Sequence, residues 1–192
     1  INVDSHGENE IVVVAGANAQ VGVEDKFVIP NSRVVLAQLE VPLETIEMAF
    51  TQARSNGAVT VLNPAPARDI PASLLSLANI VVPNETESVA IGGTKNLLNL
   101  GVATVVTTLG ADGASIDTAS STTHIEPHKV TPIDTVGAGD AFIGATCAEL
   151  SRGASIEDAA RMGAIAGALA TTVKGAVPSL PTRQAVLAAQ KS

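Results

Sequence analysis

The sequence has few aromatic residues and no excess of basic ones. Trp and Tyr are absent and Phe occurs three times, so aromatic residues make up 2% of the 192 residues. Aromatic platforms that stack single-stranded nucleic acid are therefore nearly excluded. Lys and Arg total 11 against 19 Asp and Glu, which gives a formal net charge of -8. Because binding along nucleic-acid phosphates needs a basic face, we expect no nucleic-acid partner.

Cysteine and long apolar runs are equally scarce. Cys147 is the only cysteine, which excludes an internal disulfide and a thiolate metal cluster and favours a cytoplasmic setting. It lies in the apolar-rich stretch 141–150, so we interpret it as a core residue. No apolar run approaches the roughly 18 residues of a membrane span, and no signal peptide pattern is visible. We therefore expect no membrane partner.

Composition and pattern predict one globular unit. Hydrophobic residues make up 46% of the chain and charged residues 16%, and there is no linker, repeat or low-complexity segment. We predict that residues 1–192 form a single α/β domain for nucleotide binding and catalysis. The sequence starts at Ile1 without an initiator Met, so we expect this domain to be incomplete at its N-terminus.

Short β-branched runs alternate with helical stretches along most of the chain. The predicted strands cover residues 11–14, 34–36, 59–62, 80–82 and 104–109. The predicted helices between them cover residues 44–55, 72–77, 86–91 and 94–100. This alternation predicts a mostly parallel sheet with helices on both faces.

The pattern changes after residue 113. Residues 114–117 and 122–125 flank a polar turn and predict an antiparallel hairpin at one edge of the sheet. Helices are then predicted at residues 138–151, 156–173 and 182–190. The complete prediction is a three-layer αβα sandwich with a C-terminal edge hairpin.

Polar clusters follow three of the predicted strands, at residues 63–66, 84–87 and 108–110. Ligands of open α/β sheets bind beyond the carboxyl ends of the strands, so we expect these clusters to share one site. Taken alone, Asn84 and Glu87 indicate a helix cap with a first-turn carboxylate, and residues 108–113 a strand followed by a Gly-rich turn.

The stretch DTVGAGDAF at residues 134–142 carries the chemistry. Its glycines precede a predicted helix, where free backbone N–H groups and the positive end of the helix dipole form an anion site. Asp140 could accept a proton from an attacking hydroxyl there, or serve only as a helix cap. A Walker P-loop is excluded because the Gly-Lys-Ser/Thr element is missing, and Phe142 replaces the last glycine of G-x-G-x-x-G.

The same stretch resembles the C-terminal signature of the ribokinase-like (phosphofructokinase-B) carbohydrate kinases. Further resemblances follow in the family's order: AGANA at 15–19, QLE at 38–40, NPAPAR at 63–68, PNETE at 83–87 and TLGADG at 108–113. The family's N-terminal sugar-binding motifs and its β-sheet lid have no counterpart here. The resemblance thus covers the C-terminal part of such a kinase, and we expect the chain alone to bind sugar weakly.

The resemblance implies a role for each matching residue. Asp140 matches the catalytic base, and Gly137, Ala138 and Gly139 match the anion hole for the γ-phosphate. Asn84 and Glu87 match an N-x-x-E element that positions phosphate and Mg²⁺, partly through water. The nucleotide is expected to contact Thr108, Leu109, Gly110, Ala111, Asp112 and Gly113, besides Asn84 and Gly139.

Two further sites are implied by the same resemblance. Glu40 matches a sugar contact, although alone it could be a solvated helix-start carboxylate. A monovalent cation, K⁺, is expected mainly on carbonyl oxygens of Asp134, Val136, Ala170, Val173, Gly175 and Ser179. The family also implies a homodimer formed through the lid that this chain lacks.

The implied function is ATP-dependent phosphorylation of D-ribose to D-ribose 5-phosphate, with Mg²⁺ and K⁺ as cofactors. Two alternatives stay open at this point. The acceptor could be another sugar or a nucleoside, because most sugar selectivity lies in the motifs without a counterpart. The chain could also be a truncated, non-catalytic nucleotide-binding module.

Overall fold

The structure is a computed structural model that describes residues 2–3, 9–10, 14–22 and 27–191. Near the N-terminus, β1 (Asn2–Val3) pairs antiparallel with β2 (Asn9–Glu10). A 3₁₀ turn follows at Gly16–Gln20. The predicted strand at residues 11–14 lies outside the described residues except for Val14, which belongs to no strand.

A six-stranded sheet forms the centre of the molecule. Its strands lie side by side in chain order: β3 (Val34–Gln38), β4 (Val59–Asn63), β5 (Ile80–Val81), β6 (Thr104–Thr108), β7 (Ala114–Asp117) and β8 (Thr122–Ile125). The first four are parallel, and β7 and β8 form an antiparallel hairpin at one edge. The predicted mostly parallel sheet with an edge hairpin is confirmed.

Eight α-helices are present in the part of the chain that the structure describes. They are α1 (Leu43–Ser55), α2 (Ala72–Leu77), α3 (Glu85–Ala90), α4 (Thr94–Asn99), α5 (Ala138–Ser151), α6 (Ile156–Ala170), α7 (Ala176–Ser179) and α8 (Arg183–Ala189). The helix predicted to reach residue 173 ends at Ala170, because the Thr171 carbonyl accepts the N–H groups of Ile133 and Asp134. Helix α7 was not predicted, since Pro178 interrupts its short pattern.

Helices cover both faces of the sheet, as predicted. Consecutive strand residues point to opposite faces, so Leu62 packs with Phe50 of α1 while Val61 packs with Phe142 of α5. Helices α1, α2 and α4 contribute to the first core, and α5 and α6 contribute to the second. The three-layer αβα arrangement is therefore confirmed, whereas the prediction of one domain over residues 1–192 stays a prediction.

An ion pair joins α5 to α8. The Arg183 guanidinium donates to the two carboxylate oxygens of Glu149 at 2.7 and 3.2 Å. This bidentate contact holds the pKa of the Glu149 carboxyl below its usual range.

None of the helices within the described ranges is long and apolar enough to cross a membrane.

Candidate functional site

An open cleft of about 490 Å³ lies beyond the carboxyl ends of strands β3 to β6. The end of a parallel strand is where the next loop leaves the sheet, so polar residues gather there without disturbing the core. The polar residues that line the cleft are Gln38, Glu40, Asn63, Asn84, Glu87, Thr108 and Asp140. All three polar clusters that follow strands in the sequence therefore contribute to one site.

Asp140 lies in the first turn of α5, and its side chain lines the cleft. Gly137 caps this helix in the left-handed conformation with φ +81°, and no side chain caps the helix. A Cβ at Gly137 would lie 3.2 Å from Cα of Ala176, so glycine is needed there for space as well as for φ. The N–H groups of Gly139 and Asp140 have no acceptor among the described residues. These groups form a potential anion site beside the carboxylate.

Asn84 and Glu87 form a capping box at the start of α3. Asn84 Oδ1 accepts the N–H of Glu87, and Glu87 Oε2 accepts the N–H of Asn84, each at 2.8 Å. The capping role that the residues alone indicated is thus present, in a box whose side chains line the cleft. It leaves Asn84 Nδ2 as a donor and Glu87 Oε1 as an acceptor, neither with a partner in the described part of the chain. Burial raises the pKa of Glu87, and the hydrogen bond from Asn84 partly opposes that rise.

The loop after β6 borders the same cleft. Thr108 lines it and donates its N–H to the Pro83 carbonyl at 2.9 Å, which ties β6 to the loop that carries Asn84. A 3₁₀ turn at Gly110–Asp112 follows, closed by a 2.8 Å bond from Leu109 N–H to the Gly113 carbonyl. Gly113 has φ +85°, and a Cβ there would overlap the carbonyl oxygen of Ile125. Of the six residues predicted for the nucleotide loop, Thr108 alone lines the cleft itself.

Glu40 lies in the turn between β3 and α1, and it is exposed and lines the cleft. The Leu39 N–H donates to the Ala65 carbonyl at 2.9 Å, which holds this turn against the loop after β4. The predicted sugar contact therefore faces the same space as Asp140. Both carboxylates line one cleft.

The residues predicted to hold a monovalent cation lie on two loops behind the start of α5. The Asp134 carboxylate joins these loops by accepting the N–H of Val136 at 3.0 Å and that of Gly175 at 2.8 Å. The two hydrogen bonds, led by that from Gly175, lower the pKa of Asp134. Ala170 and Ser179 are buried, Val136 and Val173 are exposed, and none of the six predicted residues lines the cleft.

Two polar residues of the site had no predicted role: Asn63 was expected there only as part of the cluster at residues 63–66, and Gln38 only as part of the QLE resemblance. Gln38 ends β3 and Asn63 ends β4, and the register pairs these two positions. Gln38 Nε2 donates to Asn63 Oδ1 at 2.7 Å and to Asp140 Oδ1 at 3.3 Å. The available signal was a polar residue closing each of two apolar strands.

The acidic side chains of the site do not converge on one point. Among the described residues, no group of three or more His, Cys, Asp or Glu side chains could hold a metal ion. Any divalent ion here would therefore depend on ligands from a bound molecule. Mg²⁺ is commonly held in this way, by one or two carboxylates, waters and substrate phosphates.

Comparison with known proteins identifies carbohydrate kinases, including several ribokinases, as relatives of this chain. The model of a family described as pfkB family carbohydrate kinase matches residues 1–183. The ribokinase of Staphylococcus aureus (strain COL) is 41% identical over 97% of this chain and 67% of its own length.

Solved structures agree. The ribokinase of Thermotoga maritima superposes with a TM-score of 0.87 at 31% identity, covering 99% of this chain and 68% of that protein. The ribokinase of Arabidopsis thaliana, solved in complex with ribose and ATP, superposes with a TM-score of 0.86 at 29% identity, covering 99% of this chain and 67% of that protein.

These matches confirm the family resemblance and the ribokinase-like fold that the motifs predicted. They also confirm, at the level of the family, the predicted enzyme class, a phosphotransferase of the carbohydrate-kinase type. This chain spans about two thirds of the length of the ribokinases it matches.

Proposed function

Because the chain belongs to the pfkB family of carbohydrate kinases, we propose that the protein transfers the γ-phosphoryl group of ATP to the 5-hydroxyl of D-ribose. The products are D-ribose 5-phosphate and ADP. One observation carries the proposal: the Asp140 carboxylate lies beside free N–H groups at the start of α5, in a cleft shared with Asn84, Glu87 and Glu40. This arrangement supports the proposal of a base next to an anion site.

Asp140 acts as the general base. One of its carboxylate oxygens takes the proton from the 5-hydroxyl as the ribose oxygen forms a bond to the γ-phosphorus. The bond between that phosphorus and the β,γ-bridging oxygen breaks, and its electron pair leaves with ADP. The Gly139 and Asp140 N–H groups donate to the transferring phosphoryl group, where they stabilise its negative charge. Gly137 sets the backbone shape of this anion hole, whereas the Ala138 N–H donates to the Thr135 carbonyl at 3.2 Å and would have to exchange that partner to join it.

Asn84 and Glu87 hold the phosphate side of the site. Asn84 Nδ2 suits a phosphate oxygen, and Glu87 Oε1 suits a water of Mg²⁺, since the capping box occupies the other oxygens. When bound, Mg²⁺ neutralises charge on the phosphates. The residues fit such an ion, because a single half-buried carboxylate beside an open cleft leaves the other ligands to water and ATP.

The nucleotide lies along the loop from Thr108 to Gly113, and the sugar lies toward Glu40. Thr108 is held beside Asn84, so the loop leads from the phosphate end of the cleft. The exposed Glu40 carboxylate can accept hydrogen bonds from sugar hydroxyls. These assignments follow the family, and the positions of Thr108 and Glu40 at the cleft support them.

K⁺ is proposed on the loops that Asp134 joins. Both carboxylate oxygens of Asp134 accept N–H groups. A cation there would bind the remaining lone pairs of these oxygens and the carbonyl oxygens of Val136, Ala170, Val173, Gly175 and Ser179. A cation there would order the loop that ends in Gly137, at the start of the anion site. We also propose that the protein acts in the cytoplasm and that it pairs through a lid that this chain lacks.

Substitution of Asp140 tests the proposal. In the full-length protein, Asp140→Asn should lower kcat on the order of 10²–10⁴-fold, because the amide cannot take the proton. ADP release is measured with D-ribose, 2-deoxy-D-ribose, D-fructose and adenosine as acceptors. The matched control is Asp158→Asn, an exposed aspartate of α6 paired with Arg161, which should leave kcat unchanged. Undiminished turnover in Asp140→Asn contradicts the role of Asp140, and a preference for another acceptor contradicts ribose.

A non-catalytic nucleotide-binding module is the second candidate. It is favoured by the open cleft and by the exposed edge of β3, where Leu36 is 41% exposed. Binding of ATP by the full-length protein, without ADP release in the presence of any of the four acceptors, would establish this alternative.

A further inference from the structure

We propose that Asn63 and Gln38 form an amide relay that orients the catalytic carboxylate of Asp140, with Gln38 as a positioning residue. The inference rests on the proposed function of Asp140. The relay runs from the Val82 carbonyl through the Asn63 and Gln38 side chains to Asp140 Oδ1. It links the ends of β3 and β4 to the first turn of α5.

The buried end of the relay fixes the direction of every amide in it. Asn63 is 6% exposed, and its Nδ2 lies 2.9 Å from the Val82 carbonyl oxygen. A carbonyl oxygen accepts only, so the Asn63 amide nitrogen must face Val82 and its Oδ1 must face outward. That oxygen lies 2.7 Å from the Gln38 side chain, so Gln38 must present its Nε2 there.

Gln38 therefore presents a donor to Asp140. Its Nε2 carries two hydrogens; one is bound to Asn63 Oδ1 and the other points to Asp140 Oδ1 at 3.3 Å. The longer second contact is the weaker of the two, so Asn63 holds Gln38 and Gln38 guides Asp140. With Oδ1 engaged, Asp140 Oδ2 has no partner among the described residues and is left to take the proton of the substrate hydroxyl.

Strand geometry accounts for the meeting of these three residues. Gln38 and Asn63 are paired in the parallel register of β3 and β4, so their side chains point to the same face. That face is the one covered by α5, since Val61 packs with Phe142 and Ile143. The core ends and the cleft begins at the ends of the strands. A side chain at the end of a strand can therefore contact the carboxylate on α5.

Orientation matters because proton transfer depends on direction as well as distance. A carboxylate free to rotate in an open cleft spends part of its time with neither oxygen aimed at the hydroxyl. Among the described residues, the other acidic groups that line the cleft are Glu40 and Glu87, and no basic side chain lines it. Within the described part of the chain, the Gln38 amide is the side-chain group that donates a hydrogen bond to Asp140.

The test compares Gln38→Met with Gln190→Met in the full-length protein. Methionine keeps the length of the side chain but donates nothing, and Gln190 is exposed at the end of α8. We expect Gln38→Met to lower kcat about ten-fold with an unchanged KM for ATP and an unchanged melting temperature. In the Asp140→Asn background the same substitution should have no further effect on kcat, because the relay acts only through that carboxylate. An unchanged kcat, or an equal loss in both backgrounds, overturns the proposal.

Gln38→Glu supplies a readout that a purely structural role would not move. The introduced carboxylate faces Asn63 Oδ1 and Asp140, so kcat should fall further than in Gln38→Met at pH 8. Protonation of the introduced group restores a donor, so the ratio of variant to parent kcat should rise as the pH is lowered to 6. A ratio that does not change with pH contradicts the relay.

The relay can also be judged apart from the proposed function. If the parent protein phosphorylates no sugar, crystal structures of the parent and of Gln38→Met decide the matter. Loss of the single Asp140 orientation in the variant supports the relay. An Asp140 carboxylate that keeps its orientation without Gln38 refutes it.

Discussion

At the scale of single residues, several polar side chains of the cleft use one atom for a hydrogen bond within the fold and keep another atom available to a ligand. Asn84 uses Oδ1 and Glu87 uses Oε2 to cap α3, and each keeps one further atom for the cleft. Asp140 engages Oδ1 with Gln38 and keeps Oδ2. A capping role and a binding role therefore coexist in one side chain, and suitable substitutions should separate them.

Two substitutions of Glu87 separate its roles. Glu87→Gln retains an oxygen that can accept the Asn84 N–H, so the capping box and the stability should survive. The negative charge that suits Mg²⁺ is lost, so kcat/KM should fall roughly 10–100-fold. Glu87→Ala removes both, and should also lower the free energy of unfolding by about 0.5–2 kcal/mol. Thermal melting and ADP release check the pair; equal stability of both variants would contradict the capping role.

The stability of Glu87→Gln should also depend on pH relative to the parent. Burial raises the folded-state pKa of Glu87 above its ordinary value of 4.5, so the folded parent favours the protonated carboxyl. That contribution is complete below 4.5 and is lost as the pH rises through the folded-state pKa. The melting temperature of Glu87→Gln minus that of the parent should therefore increase from acidic to neutral pH.

Site residues that belong to a short sequence motif could be predicted from the sequence. Asn84 and Glu87 are three positions apart, and the N-x-x-E spacing indicates both the cap and the family element. Gln38 and Asn63 are 25 positions apart, and only the register of β3 and β4 brings them together. No local spacing encodes that register, so the relay to Asp140 could not be predicted.

At the scale of elements, α5 and α6 pack together unusually closely. Gly163 of α6 faces α5, and a Cβ there would lie 2.8 Å from the Phe142 carbonyl oxygen and would overlap Thr146 Oγ1. Thr146 Oγ1 itself donates to that carbonyl at 2.8 Å. The start of α5 carries the proposed base, so this contact also sets where Asp140 lies relative to the sheet.

Alanine substitutions at two helix glycines should have opposite effects. Gly163→Ala should lower the free energy of unfolding by about 1–3 kcal/mol, because α6 must move away from the α5 backbone. Gly144→Ala on α5 is the control: nothing lies within 4 Å of the Cβ position, so the gain in helix propensity should stabilise the protein by up to about 1 kcal/mol. Denaturant unfolding measures both, and stabilisation by Gly163→Ala would contradict the close packing.

Element boundaries were predicted where local patterns decide them. The hairpin strands at Ala114–Asp117 and Thr122–Ile125 and helix α5 have the predicted ends. The end of α6 was not predicted, because the Thr171 carbonyl accepts the N–H groups of Ile133 and Asp134, which lie far earlier in the chain. Tertiary contacts of this kind leave no periodic signal in the helix itself.

At the scale of the whole molecule, the parallel side of the sheet ends in an open edge at β3. On the open side β3 pairs only with β4 within the described residues, and Leu36 in its middle is 41% exposed. The neighbouring β4 is buried along most of its length, which is normal for a parallel strand. Parallel strands are normally covered on both sides, so the exposed side of β3 is unusual.

Ribose binding by this chain alone should therefore be weak. The groove beside β3 is lined by Leu36, Ala37, Gln38, Asp140, Ile143 and Gly144, so the same open edge exposes the proposed base. A small sugar in an open cleft keeps much of its contact with water and gains few contacts at once.

Calorimetry should give a Kd for D-ribose at least about 100-fold higher for residues 1–192 than for the full-length protein, a difference of about 2.7 kcal/mol. The control is ATP, whose predicted contacts at Asn84, Thr108 and Gly139 are present here, so its affinity should differ less between the two proteins. Equal ribose affinity would show that the open edge does not limit sugar binding.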